Sequence, residues 1–217
     1  MLLVCLSLIT PIAYGETQIN LRSEYEQWNA GLGGEVDGIL LGASAGQQLA
    51  GPLFYGAGLV AGKYRIDGQQ QNDLYRGDLD AVVGFHLTRH ISLFGGYRLV
   101  LIDYNNTDDA MLSFNDMTHG IGMGVSSQLM FGNKLLGYAR LSLSGLYSNL
   151  SFSFDQADND GLGFSAGSEV GTAYQFTQRT SIGISVKYQH SVIRYDNDLN
   201  PWAHNYFRVG LNLNQSF

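Results

Sequence analysis

The chain has 217 residues, a length that suits one domain, and its 28 glycines and 13 tyrosines against 3 prolines disfavour helices, because glycine costs about 1 kcal/mol per helix position relative to alanine. A formal net charge of -7, from 12 Lys and Arg against 19 Asp and Glu, argues against a nucleic-acid partner, whose phosphates need clustered bases. Hydrophobic residues make up 45% of the chain, yet mean hydropathy is -0.05, so apolar and polar residues must be interspersed, as a barrel wall requires.

Residues 1–15, MLLVCLSLITPIAYG, are apolar and uncharged and end in Ala13-Tyr14-Gly15, the small-x-small pattern of a signal-peptidase site. Cleavage is expected before Glu16, although a positively charged n-region is missing. The only cysteine, Cys5, falls in this segment, so the mature chain is expected to have no thiol for disulfides, catalysis or metal binding. No apolar run of transmembrane-helix length follows, so membrane residence would have to be β.

From Glu16 onward one unit repeats, a roughly ten-residue run of alternating polarity closed by a turn. In Leu74 to Leu87, for example, Leu79, Ala81, Val83, Phe85 and Leu87 share one face, and Arg76, Asp78, Asp80 and His86 the other. Strands are predicted over Ile19–Trp28, Gly38–Leu49, 53–65, 74–87, 91–104, 113–130, 135–153, 163–176, 181–195 and 205–217. Tight connections (Gly51-Pro52, Thr88–His90, Phe131–Lys134, Thr177–Thr180) alternate with longer polar ones (Ile66–Asp73, Asn105–Ala110, Asp155–Gly161, Asp196–His204), as periplasmic turns and extracellular loops do. The expected fold is all-β, a closed antiparallel up-and-down transmembrane barrel of ten strands over 16–217. Eight strands with a periplasmic N-terminal arm is the alternative, since an even count puts both termini on one side.

The last strand ends Phe207-Arg-Val-Gly-Leu-Asn-Leu-Asn-Gln-Ser-Phe217, with Phe207, Val209, Leu211, Leu213 and Phe217 on one face and Gln215 as the one departure. This resembles the C-terminal assembly signal of bacterial outer-membrane barrels. Segments such as Ser92-Leu-Phe-Gly-Gly-Tyr-Arg98 are likewise similar to the small single-chain outer-membrane β-barrel family, of OmpA-, OmpX- and OmpW-like architecture. The resemblance implies an integral protein of the outer membrane of a Gram-negative cell envelope, exported with a cleaved signal peptide. Its expected partners are the barrel-assembly machinery, outer-membrane lipid and lipopolysaccharide, and its expected state is a monomer. The likeness covers no functional motif, and one fold hosts many functions. A soluble, lipocalin-like can would reverse the two faces.

With the last strand fixing the lipid face, Arg22, Glu24, Glu26, Arg76, Asp78, Asp80, Arg98, Arg140, Glu169, Lys187 and Arg208 point inward. Such a set of both signs reads as ions that satisfy one another in a narrow lumen. Gly120, Gly122 and Gly124, beside Ser126, leave space that bulky residues must fill if no channel is to form. Asp78 and Asp80 resemble the paired acids of outer-membrane aspartyl-type proteases, but the Asp-x-His partner is missing and the strands are not expected to project far above the membrane. His190-Ser191 invites comparison with lipid A deacylases, yet neighbours in a strand point to opposite sides, and no flanking Asn or downstream Glu accompanies them. Asp155–Gly161 lacks calcium-loop spacing, and the histidines lack ligand spacing. Ten aromatics near strand ends (Tyr55, Tyr64, Tyr75, Tyr97, Tyr104, Tyr147, Tyr174, Tyr188, Tyr195, Trp202) are expected in interfacial girdles. The sequence thus points to a non-enzymatic barrel with a structural or surface-interaction role and no cofactor, catalytic residue or metal site. A narrow pore for small or amphiphilic solutes and a lipid-modifying enzyme are the alternatives.

Overall fold

A computed structural model of the chain describes residues 17–29, 35–49, 51–66, 73–105, 113–152, 159–196 and 201–217. The expected signal peptide lies outside the described residues. Ten strands are described: β1 (Thr17–Asn29), β2 (Glu35–Gln48), β3 (Leu53–Ile66), β4 (Asp73–His86), β5 (Ile91–Asn105), β6 (Phe114–Phe131), β7 (Leu135–Phe152), β8 (Asn159–Gln175), β9 (Thr180–Tyr195) and β10 (Trp202–Ser216). Each pairs antiparallel with its sequence neighbours, and β1 pairs with β10 from Gln18↔Ser216 to Asn29↔Asn205, closing the barrel. β1 is therefore a full member of the wall, so the eight-strand alternative with a free N-terminal arm is ruled out.

Local chemistry explains the tight turns. Gly51 and Gly132 adopt positive φ, 75° and 67°, where a side chain is strained, and Pro52 sits between ladders that need no donor from it. The β4–β5 and β8–β9 turns use one device twice: the Thr88 hydroxyl accepts from the His90 and Ile91 amides, each at 3.1 Å. In the same way Thr177 accepts from Arg179 and Thr180, at 3.1 and 3.0 Å. Such side-chain capping lets a hydroxyl replace a backbone acceptor in a tight bend.

The two faces of the wall are inverted relative to a soluble protein. Ile121 and Met123 are 73% and 72% exposed on the outside, whereas Arg98, Glu26 and Asp78 are at most 1% exposed inside. A continuous apolar exterior of this kind belongs in lipid, and the soluble-can alternative fails on that inversion. Strands of 13 to 18 residues exceed the 9–11 that a tilted strand needs to cross a bilayer, so the wall is long enough to extend somewhat beyond an apolar band. Two expected connections also end earlier than their composition implies. Asn159–Gly161 already belong to β8, and Trp202–His204 to β10.

Not all the aromatics form girdles. Tyr55, Tyr75, Tyr97, Tyr147, Tyr174 and Tyr188 are exposed on the outer wall, but Tyr64 and Tyr195 are buried inside, and Tyr104 and Trp202 pack against the interior clusters. Toward the long connections the lumen holds two apolar clusters, with Trp28, Leu40, Val60, Tyr64 and Tyr206 in one and Leu146, Leu150, Ile193 and Tyr195 in the other. Trp28 stacks on Tyr206 with ring centroids 5.6 Å apart and meets Tyr64 edge-on at 5.9 Å.

Candidate functional site in the barrel lumen

Beneath that aromatic layer the inward positions of β1, β4, β5 and β10 converge. Period-two alternation places Arg22, Glu24 and Glu26 on β1, Arg76, Asp78 and Asp80 on β4, Arg98 on β5 and Arg208 on β10, all on the inner face and all buried. Neighbouring strands give them room. A Cβ at Gly42 would sit 2.9 Å from Arg22 Nε, and one at Gly210 would sit 3.2 Å from Glu24 Cγ.

These side chains form one connected set. Asp78 is its hub: Arg76 donates through Nε at 2.8 Å and Nη2 at 3.3 Å, Arg208 donates through Nη2 at 3.0 Å, and Arg98 also bonds it. Arg208 reaches Glu24 at 3.2 Å and also bonds Glu26, while Arg76 donates to Glu26 at 3.0 Å. The set extends from Arg98 to Asp80 at 3.5 Å and from Glu24 to Arg22 at 3.8 Å. The Tyr64 hydroxyl bonds Glu26, and the Arg76 guanidinium lies 4.4 Å from the Tyr206 ring centroid. Aromatic and ionic layers are therefore continuous. Charge-assisted, multidentate bonds of this kind are the strongest the protein can make in a dry interior.

Three predicted lumen residues stand apart. Arg140 and Glu169 pair with each other at 3.9 Å, with the Tyr138 hydroxyl donating to Glu169 at 3.0 Å. Lys187 is buried and is the register partner of both Arg208 and Glu169. Among the described residues it makes no direct ion pair.

Sequence reasoning missed Asp116, which shares the inward face of β6 with Gly120 and Gly122 and is 9% exposed. Thr118 donates to it at 3.1 Å and Ser148 also bonds it, while the Ser148 hydroxyl lies 3.0 Å from that of Tyr195. Asp116 brings the buried acids to six (Glu24, Glu26, Asp78, Asp80, Asp116, Glu169). They face six bases (Arg22, Arg76, Arg98, Arg140, Lys187, Arg208). The signal lies in the parity of β6, which puts Asp116 on the same face as Gly120, Gly122 and Gly124.

The glycine-lined space on β6 is occupied. A Cβ at Gly124 would fall 2.4 Å from Phe94 Cζ, and one at Gly122 would fall 2.6 Å from Ser144 Cβ. Gly120 is the register partner of Arg98. At the short-turn end Phe54 fills the hollow over Gly84 and packs on His86, centroids 4.8 Å apart.

The remaining motifs resolve by position. Asp78 and Asp80 both face the lumen and are held in ion pairs rather than opposed to each other across a cleft. Ser191 points inward, bonded to Ser165 at 3.0 Å, while His190 lies on the outer face of β9. No Asn flanks that histidine in sequence, but one meets it from the next strand: His190 Nδ1 donates to Asn205 Oδ1 at 2.9 Å, and Tyr188 donates to the same oxygen at 2.9 Å. Of the calcium-like stretch, Asp155 and Asp158 lie outside the described residues. Asp160 accepts from Tyr147 at 2.8 Å and from Asn149 at 3.0 Å. On β10, Phe207, Leu211, Leu213 and Phe217 are exposed on the outer face, which Val209 shares.

No protein-family model and no curated protein matches the chain by sequence. Solved structures do match. The outer membrane protease OmpT from Escherichia coli has 10% identity and a TM-score of 0.58, covering 94% of this chain and 96% of that one. The translocator domain of autotransporter NalP from Neisseria meningitidis has 8% identity and a TM-score of 0.55, covering 92% and 88%. At such identities the likeness concerns the fold alone. The chain thus has the closed, antiparallel architecture of bacterial outer-membrane β-barrels, built here from ten strands around a charged interior.

Proposed function

We propose that this chain is an integral outer-membrane barrel without enzymatic activity, whose lumen is closed and whose role is structural or exercised through its acid-rich connections. The carrying observation is the hub at Asp78, where guanidinium groups from β4, β5 and β10 meet across the lumen. A conducting path would need to separate ions that are buried and multiply bonded, which is costly in a low-dielectric interior. In this reading the outward row of β10 serves the assembly machinery, and the apolar belt sits as a monomer among outer-membrane lipid and lipopolysaccharide. Purified protein in planar bilayers is expected to show no steady unitary conductance. Steady unitary events would overturn the closed reading in favour of a narrow pore.

A lipid-directed enzyme is the second reading, favoured by His190, whose ring is oriented by Asn205 on the outer wall. Such orientation fixes the tautomer of a general base. Fatty acid released from lipid vesicles by the wild-type chain, and not by His190→Gln, would replace the non-enzymatic reading.

A further inference from the structure

With six acids and six bases inside, the lumen is electrically balanced, so the net charge of -7 resides at the barrel ends. It is divided unevenly between them. Of the segments joining strands at one end, four (67–72, 106–113, 153–158, 196–201) contain aspartates, 30–34 is uncharged, and none of the five contains Lys or Arg. Those at the other end (49–52, 87–90, 132–134, 176–179) contain Arg89, Lys134 and Arg179 and no Asp or Glu. Three consecutive hairpins thus each present one exposed cation.

Two further observations give these cations a defined place. Each turn is pinned by its neighbour through the backbone carbonyl of the basic residue itself. Gln128 Nε2 donates to Arg89 O at 3.3 Å, the Gln175 amide to Lys134 O at 2.8 Å, and the Ser216 amide to Arg179 O at 2.9 Å. The cations also border the apolar belt, since Phe131 and Phe176 are both 59% exposed within three residues of Lys134 and Arg179. Lys134 Nζ lies 5.9 Å from the Tyr174 ring centroid. A long basic side chain over an aromatic at the edge of an apolar face is the geometry of a membrane interface, stem in the hydrocarbon and charge at headgroup depth.

We infer that the short-turn rim is a binding arc for anionic phospholipid, whose phosphate headgroups meet Arg89, Lys134 and Arg179 in the leaflet level with these turns. This rests on the membrane reading above. A basic residue near an anionic surface shifts local lipid occupancy by about fivefold. Averaged over the whole lipid annulus, three such positions are expected to give about a threefold preference at low salt.

The full chain is placed in phosphatidylcholine nanodiscs carrying spin-labelled phosphatidylglycerol or spin-labelled phosphatidylcholine, and the motionally restricted fraction of each label is measured. The expected result is about threefold stronger association of phosphatidylglycerol. It should fall to parity in the triple variant R89Q/K134Q/R179Q and in 1 M KCl, and persist in K63Q/R65Q at the opposite end. Inorganic phosphate at matched ionic strength should displace the labelled lipid no better than chloride does. Equal association of both labels with the wild-type chain, or a preference retained by the triple variant, overturns the inference. Selective displacement by inorganic phosphate overturns it too, by showing a site for free anion. An absent restricted fraction for both labels would instead overturn the membrane reading. The phosphatidylcholine signal also shows whether each variant is folded in the disc.

Discussion

Arg208→Met tests the lumen network at its most connected base. Arg208 bonds Glu24 at 3.2 Å, Asp78 at 3.0 Å and also Glu26, and is 3% exposed. Methionine keeps most of the side-chain volume and removes the charge, leaving six buried acids against five bases. The consequences differ among the three carboxylates. Asp78 retains Arg76 and Arg98, and Glu26 retains Arg76 and Tyr64. Glu24 is left with Arg22 at 3.8 Å. Breaking a buried pair from one side costs about 3–5 kcal/mol, or about two to three and a half decades in the folding equilibrium. Urea unfolding in lipid vesicles measures this, followed by the fluorescence of Trp28, which stacks on Tyr206, and by migration of the unboiled protein on a detergent gel. Adding Glu24→Gln to Arg208→Met restores the balance and is expected to recover about 2 kcal/mol as a coupling energy. A cost below about 1 kcal/mol for Arg208→Met, or no recovery in the double variant, would refute the view that these ions act as one set.

Three further outcomes follow from local geometry. Asp116→Ala removes the acceptor shared by Ser148 and Thr118, which keep only each other and Tyr195, and is expected to destabilise by about 1–3 kcal/mol in the same unfolding assay. Gly62→Ala should be costlier than Gly77→Ala: its Cβ would meet the Ile39 carbonyl oxygen at 2.2 Å, while nothing lies within 4 Å at Gly77. An overpacking loss of about 1–3 kcal/mol is expected at Gly62 and about none at Gly77, read from urea midpoints. Ile121→Lys, in the middle of the outer belt, should cost about 2–4 kcal/mol in vesicles, whereas Asp103→Lys near the strand end should cost about 0–1 kcal/mol.

Most of the wall was legible because lipid and lumen enforce strict alternation, and one residue of slip would turn every side chain over. The same rule placed Arg76, Asp78 and Asp80 inside without any knowledge of their partners. It failed where the strands leave the hydrocarbon. Asn159–Gly161 and Trp202–His204 read as loop because they adjoin Asp- and Asn-rich stretches, yet a strand projecting into water has no reason to keep an apolar face. Apolar residues inside, such as Leu40, Val60 and Tyr64, likewise depart from the alternation of apolar wall and polar lumen. The contact between His190 and Asn205 depends on the β9–β10 register, which residue spacing along one strand cannot supply.

The position of the network also bears on how the barrel closes. Nine of its pairings join strands adjacent in sequence, but β1 and β10 meet across nearly the whole chain, with Gln18 opposite Ser216. Bringing those ends together costs loop-closure entropy that the nearest-neighbour hairpins do not pay. Glu24 and Glu26 on β1 and Arg208 on β10 bond one another across this seam, and Arg208 and Arg76 tie both strands to β4 on the facing wall. Parity alone would allow β10 to meet β1 displaced by two residues, with the same faces outward. Such a slip would move Arg208 by two residues from Glu26, its present register partner, and would disturb the arrangement in which it bonds Glu24, Glu26 and Asp78 at once. The charged interior therefore favours one register at the β1–β10 joint, the one non-local pairing among the described strands.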